Sequence, residues 1–195
     1  MEGNNVGLDM YLYKKTYIGA QYEHRNVKGK IDITIGDKVV PIKFDRVCYI
    51  EESVGYWRKA NAIHNWFVKN VQDGEDNCKD YYVSLESLKE LLDLCLEVKE
   101  KAIIKEGKIQ NGYTIGENGE KIYNMVDGKY IENTEEIANI LPTTDGFFFG
   151  STEYDEYYMQ DIEYTIELIQ GLVKEEEENE KLGLYGSDFL YSSSW

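Results

Sequence analysis

Ser84-Leu-Glu-Ser-Leu-Lys-Glu-Leu-Leu-Asp-Leu-Cys-Leu-Glu-Val-Lys-Glu-Lys-Ala102 is the stretch that decides the fold. Ser84 is a residue that caps helix N-termini. Leu85, Leu88, Leu91, Leu92, Cys95, Val98 and Ala102 then recur at three- and four-residue steps. That is the spacing of one face of an α-helix, so this segment needs an apolar surface to lie against. The rest of the chain must supply that surface.

Upstream, Tyr56 to Val71 reads as another helix, with Trp57, Ala60, His64, Phe67, Val68 and Val71 at helical spacing. Leu8 to Lys14 alternates as a strand does, with Leu8, Met10 and Leu12 on one face. Residues 30–44 read as a hairpin: Ile31, Ile33 and Ile35 lead to a Gly36-Asp37 turn, and Val39, Val40, Ile42 and Phe44 return. Pro41 has no N–H to give a ladder, which makes the returning arm an edge strand.

Downstream, Asn111-Gly112, Asn118-Gly119 and Asp127-Gly128 are three hairpin-type turn signals in residues 105–132. This segment is expected to be a protruding β-hairpin arm or a mobile loop. Asn133 and Glu136 resemble a capping box for a short helix that stops before Pro142. Gly146 to Gly150 reads as a buried strand. A long helix then opens near Thr152 and Asp155 and reaches about Lys181, with Tyr158, Ile162, Thr165, Ile166, Ile169, Leu172 and Val173 inward. Its end, residues 174–181, is polar all round and is expected to project into solvent or fray. Leu184 to Tyr191 reads as a last strand. Strands at both ends with helices between them predict an α+β fold, an antiparallel or mixed sheet with helices packed on one face plus the hairpin arm. Residues 1–195 read as a single domain.

Net charge is −16, and it is unevenly spread. Residues 1–100 hold 14 basic and 17 acidic side chains, while residues 101–195 hold 7 and 20. Such a chain repels duplex DNA and anionic membranes at long range, and attracts basic protein surfaces. Met1 to Asn5 have neither a basic region nor an apolar stretch, so no signal peptide is expected. No apolar run has the length of a membrane span. Three widely spaced cysteines, Cys48, Cys78 and Cys95, suggest neither a disulfide framework nor a zinc site, and fit reduced thiols in a cytosol.

Catalytic signatures are scarce. Gly107 to Thr114 has the glycine spacing of a phosphate-binding loop but lacks the lysine after the second glycine. Asp73 to Ser84 departs from a calcium loop at its sixth and twelfth positions, Cys78 and Ser84. The only histidines are His24 and His64, too few for an imidazole-rich metal centre. No cofactor is called for. His64 sits on an apolar stripe, where it is a satisfied core residue, a ligand contact or an acid–base group.

Two segments stand out. Tyr56, Trp57, Arg58, Lys59, Asn61 and His64 gather aromatic, basic and amide groups at what reads as a helix start. Free N–H groups there attract anions, and Tyr56 or Trp57 can stack on a base. Alternatively, Arg58 and Lys59 pair with the chain's own acids. In the second segment, Ser151 or Thr152 caps a helix, and Tyr154, Asp155 and Tyr158 follow. Its acids suit an amine, a guanidinium or the exocyclic amino group of a base more than a phosphate. Tyrosines outnumber phenylalanines 17 to 6, which favours wet aromatic surfaces.

Gly7-Leu-Asp-Met-Tyr-Leu12, Gly55-Tyr-Trp-Arg-Lys-Ala-Asn-Ala-Ile-His64, the Gly146 to Tyr158 block and the terminal Ser-Ser-Trp195 together span nearly the whole chain. They resemble a family of small phage and prophage proteins, most of them without an assigned function. The resemblance implies a non-enzymatic protein of the host cytosol that counters antiphage defence. By analogy with viral sponges, it would do so by sequestering a cyclic-nucleotide or related immune signal, as in anti-CBASS inhibition. The alternatives are an acidic nucleic-acid mimic that blocks a basic defence protein, and a metal-dependent phosphodiesterase or nuclease. The expected partner is a nucleotide-type small molecule or a basic host protein, with neither duplex nucleic acid nor membrane. Edge strands and surface tyrosines point to a homo-oligomer.

Overall fold

Alternation from Leu8 onward gives strand β1 (Asp9–Tyr17), whose inward positions Met10, Leu12 and Lys14 are buried while Asp9, Tyr11 and Tyr13 face the other way. In the computed structural model, which describes residues 7–19, 28–146, 148–184 and 186–195, β1 lies inside a four-stranded sheet. The other chain elements are β2 (Ile33–Ile35), β3 (Lys38–Val40), β4 (Tyr49–Arg58), α1 (Asn61–Asn70), β5 (Tyr81–Val83), α2 (Leu85–Lys101), β6 (Ile104–Ile115), β7 (Lys121–Ile131), α3 (Thr134–Ile140), α4 (Glu156–Lys181) and β8 (Asp188–Ser194). The sheet runs β4-β1-β8-β5 with every neighbour antiparallel. His24 and Phe147 lie outside the described residues.

The helices cover one face of this sheet. Trp57 on β4 donates its indole N–H to Thr165 of α4 at 2.9 Å, and Tyr191 on β8 stacks on Phe67 of α1 with ring centroids 3.8 Å apart. α2 packs in turn on α4. Leu88, Leu91, Cys95 and Val98 join Ile162, Ile166 and Ile169 in the same core as Leu8, Met10 and Leu12. The opposite face is open, and tyrosines occupy it: Tyr11 lies 5.4 Å from Tyr56, and Tyr82 of β5 is exposed. The expected α+β architecture with helices on one face is the observed one, and its sheet is antiparallel.

The arm is also present. β6 and β7 pair with each other from Ile104↔Ile131 out to Ile115↔Lys121. Of the three turn signals only Asn118-Gly119 makes the turn. Asn111-Gly112 forms a bulge, where the register shifts between Gln110 and Tyr113, and Asp127-Gly128 lies inside β7.

Several expectations change. The helix expected from Tyr56 begins at Asn61 instead, because Tyr56, Trp57 and Arg58 complete β4 against Tyr11, Met10 and Asp9. Lys59 then breaks the chain direction with φ of 61°. Gly146 and Phe148 to Gly150, the described part of the expected buried strand, contain no strand. The 30–44 hairpin shrinks to two three-residue strands paired only with each other, and Pro41 falls just past the second. The last strand starts at Asp188, not Leu184.

The end of α4 does not fray: it is helical to Lys181. Lys14, 2% exposed, reaches it from β1 and binds Glu175 at 2.7 Å and Glu176 at 3.0 Å. The Ser187 N–H donates to Glu176 at 3.0 Å, so the acidic tract is partly an internal anchor. Burial opposes the charge on both partners. The ion pair outweighs it, holding the Lys14 ammonium above its ordinary pKa, and with the Ser187 N–H holds the Glu176 carboxyl below its own. Short α3 stops before Pro142 as expected. Its Asn133 side chain leaves its own helix uncapped and instead accepts from Ile103 N and donates to Glu136.

Candidate functional site

A cleft of about 1230 Å³ opens where the start of α1, the 143–155 loop, the start of α4 and the hairpin arm meet. Each wall has a local cause. Asn61, 4% exposed, donates to Phe149 O at 3.0 Å and Ser151 O at 2.7 Å, and accepts from Thr144 N at 3.1 Å. One amide therefore staples the loop to α1. At the other side Asp155 caps α4: its Oδ1 accepts from Tyr157 N at 2.9 Å and Tyr158 N at 3.3 Å. Tyr130 of the arm bridges to Asp155, and Ile131 N donates to Tyr154 O at 2.8 Å. Those bonds fasten the base of the arm beside the start of α4. Its outer half then brings Gln110, Asn111, Tyr113, Lys121 and Tyr123 to the cleft.

Lys59 is the strained residue of the site. Its left-handed backbone is costly for any residue with a Cβ, by about 1–2 kcal/mol. Its stem runs against two glycines. A Cβ on Gly7 would lie 3.2 Å from Lys59 Cε, and one on Gly150 would lie 3.1 Å from Lys59 Cβ. No carboxylate among the described residues pairs with the ammonium of Lys59 or Lys121. Lys121 instead sits 4.6 Å from the centre of the Tyr113 ring, and Tyr113 meets Tyr123 edge-on. Helix α1, beginning beside Lys59, has no side-chain cap on its first N–H groups. The start of α1, Lys59 and Lys121 all line the cleft, and each attracts anions.

The cleft lining also carries acids, among them Asp145, Glu153, Asp155 and Asp161. Asp155 is 3% exposed, and its Oδ2 has no hydrogen-bond partner. Burial pushes its carboxyl up, against the pull of the two helix N–H groups. Asp161, six residues further along the chain in α4, also lines the cleft. Burial and then the Asp155 charge push its carboxyl up to about 7. Among the described residues, no group of three or more His, Cys, Asp or Glu side chains is placed to hold a metal ion. No helix among them is long and apolar enough to cross a membrane.

Of the residues singled out from sequence, Arg58, Lys59, Asn61, Ser151, Thr152, Asp155 and Tyr158 line this cleft together. The others do not. Trp57 is core, 2% exposed, because it points inward from β4. Tyr56, its neighbour, points to the open face and donates its hydroxyl to Asp9. Tyr154 accepts from Thr143 N at 3.1 Å and packs edge-on to Tyr158, whose hydroxyl donates to Leu141 O at 2.9 Å. Ser151 and Thr152 leave the cap of α4 to Asp155. His64 is 1% exposed, with both ring nitrogens engaged, by Tyr191 OH at 2.7 Å and Asp76 at 2.9 Å. Burial lowers its pKa, only partly offset by Asp76, so the neutral ring donates from Nε2 and accepts at Nδ1.

Sequence reading missed the arm's Tyr113, Lys121 and Tyr123 and the α4 residues Tyr157 and Asp161. The signal for the arm was an aromatic-basic set flanking the Asn118-Gly119 turn. Compared with family models, curated proteins and solved structures, the chain matches none.

Proposed function

We propose that this is a non-enzymatic binding protein that sequesters a nucleotide-type anion in the cleft. One observation carries the reading: Lys59 is held in a strained conformation between two glycines and lines the cleft with no carboxylate among the described residues on its ammonium, and α1 begins two residues later without a side-chain cap. Strain of that kind persists where the surroundings impose it, and such places are often ligand clamps. The tyrosines of the arm and Tyr157 give stacking surface, and each stacked base contributes roughly 1–3 kcal/mol. At about 1230 Å³ the cleft exceeds the roughly 300–1,000 Å³ typical of small-ligand sites, which suits a ligand of dinucleotide size. The resemblance of the Gly7, Gly55 and Gly146 stretches to phage and prophage proteins extends this to sequestration of an immune signal in the host cytosol.

The acidic-mimic reading has less support. Part of the acidic tract on α4 is bound internally by Lys14, and the cleft presents cations.

The test is a thermal-shift panel of cyclic di- and trinucleotides on the whole protein and on Lys59→Gly. A ligand at about 100 times its Kd adds roughly 2.7 kcal/mol of apparent stability. The expected result is a clear shift with one nucleotide, which is recovered intact after denaturation. In Lys59→Gly the ligand-free melting temperature holds, because glycine tolerates the backbone, while the shift shrinks. No shift with any nucleotide overturns the reading, and recovery of a hydrolysed product makes the protein an enzyme.

A further inference from the structure

The arm turns one face to the cleft, and its register says which. In an antiparallel ladder directly opposed residues share a face, and every second residue along a strand returns to it. Gln110 pairs with Met125, Tyr113 with Tyr123 and Ile115 with Lys121, so Gln110, Tyr113, Lys121 and Tyr123 lie on one face. All four line the cleft. Thr114 and its partner Ile122 lie on the other face, and neither lines it.

The bulge makes this so. Asn111 and Gly112 together oppose Asn124 alone, with Gly112 in left-handed backbone at φ of 76°. A ladder continued evenly from Gln110↔Met125 would set Tyr113 against Ile122, on the face turned away. That aromatic–β-branched pair stabilises a hairpin as well as a pair of tyrosines does. Hairpin stability therefore does not explain the bulge, which gives up ladder pairing at that point. What the extra residue achieves is to bring Tyr113 round beside Tyr123 and the Lys121 ammonium. The two rings lie 6.3 Å apart, and Lys121 Nζ lies 4.6 Å from the centre of the Tyr113 ring. Both rings are open to a ligand, Tyr113 at 48% exposure and Tyr123 at 51%. Bulges re-aim side chains in this way beside binding sites.

Building on the nucleotide reading, we infer that the outer arm is the base-holding half of the site: the base lies on Tyr113 and Tyr123, Lys121 takes the phosphate attached to it, and the Asn111-Gly112 bulge is the positioning device that turns all three to the cleft. The chemistry recognised there is a planar heteroaromatic ring and a phosphate on the same nucleotide. Stacking reads no hydrogen-bonding edge, so this half of the site accepts any base.

The experiment is calorimetric titration of cyclic di-AMP and cyclic di-GMP into the whole protein and its variants, each checked for fold by circular dichroism and melting temperature. Tyr113→Ala is expected to weaken binding about tenfold or more, the size of one stacked base. Lys121→Met is expected to lose about tenfold, the size of a hydrogen bond to a charged group. Ile122→Ala, as exposed as Tyr123 but on the far face, is expected to stay within about twofold of the wild type. Two one-residue changes separate placement from mere presence. A glycine inserted after Asn124 evens the ladder and turns Tyr113, Lys121 and Tyr123 to the far face, so binding is expected to fall at least as far as in Tyr113→Ala with every side chain still present. Deleting Gly112 also evens the ladder but leaves Tyr113 on the cleft face, and is expected to hold affinity within about threefold. Binding that is unchanged in Tyr113→Ala or Lys121→Met, or insertion and deletion variants that change affinity alike, overturns the inference and leaves the cleft a nucleotide site. Binding of neither cyclic dinucleotide by the wild type overturns both.

Discussion

Tyr56 and Trp57 are adjacent in the chain and opposite in the structure, because successive strand residues face opposite sides of a sheet. A helix would have put both near one ligand; the strand gives one to the core and one to the open face. Lys59 then reverses the chain within a single residue, which is why Asn61 can begin α1 pointing at the cleft. The residue with the sharpest solution signature is Asp161. Its carboxyl ordinarily titrates near 3.8 and is raised to about 7 by burial first and by Asp155 second. A folded-state pKa above the unfolded value means that the folded chain holds the proton more tightly. The contribution to stability is full below about pH 4 and is lost as pH rises through about 7, where a buried charge appears. Asp161→Asn mimics the protonated form at every pH. It is therefore expected to be more stable than the wild type at pH 8, by roughly 1–3 kcal/mol, with the two converging near pH 4. Melting temperatures across that range decide it. A difference independent of pH would show that Asp161 is not the titrating group.

At the scale of elements, the last turns of α4 show how an acidic run can be structural. Lys14 on β1 is buried, and its ammonium ties a central strand to a helix that otherwise ends in glutamates. Removing one partner of a buried pair leaves the other charge uncompensated, which typically costs about 3–5 kcal/mol, whereas replacing both is far milder. Lys14→Met is accordingly expected to lose that much in denaturant unfolding, and Lys14→Met with Glu176→Gln to recover most of it. If the double variant is no better than the single one, the effect lies in packing and not in the pair. The same element explains what could be read from sequence. Helix α2, the body of α4 and the arm are written in local periodicity and turn residues, so their existence and limits were legible. The border between β4 and α1 was not, because Trp57, Ala60 and His64 fit a helical stripe as well as they fit a strand followed by a helix. Pairing with β1, a contact far away in sequence, decides it. The cleft was half legible for the same reason. Lys59, Asn61 and Asp155 announced themselves by chemistry, while Tyr113, Lys121 and Tyr123 became part of the site only because the arm folds over it.

For the whole molecule the governing fact is a net charge of −16 around a cleft that Lys59 and Lys121 line. A nucleotide anion approaching from bulk meets repulsion at long range and attraction only at close range. Salt weakens the first more than the second. The Debye length falls from about 30 Å at 0.01 M to about 8 Å at 0.15 M, so distant carboxylates are screened while the cleft's own contacts, a few ångströms from the ligand, are screened much less. Added salt in that range is therefore expected to raise the association rate of a bound cyclic nucleotide, contrary to the usual behaviour of an anion at a basic protein. The dissociation rate is expected to change little. An acidic mimic that docks on a basic partner behaves in the opposite sense, because its long-range field steers the encounter and its association slows as salt is added. Stopped-flow measurement of both rates between 0.01 M and 0.15 M salt, with the tyrosine fluorescence of the arm as signal, separates the two readings by the sign of one slope. A falling association rate for the nucleotide would mean that the ligand enters through a local positive field strong enough to dominate the whole surface. The proposal that the cleft works as a shielded pocket within a repelling molecule would then have to be abandoned.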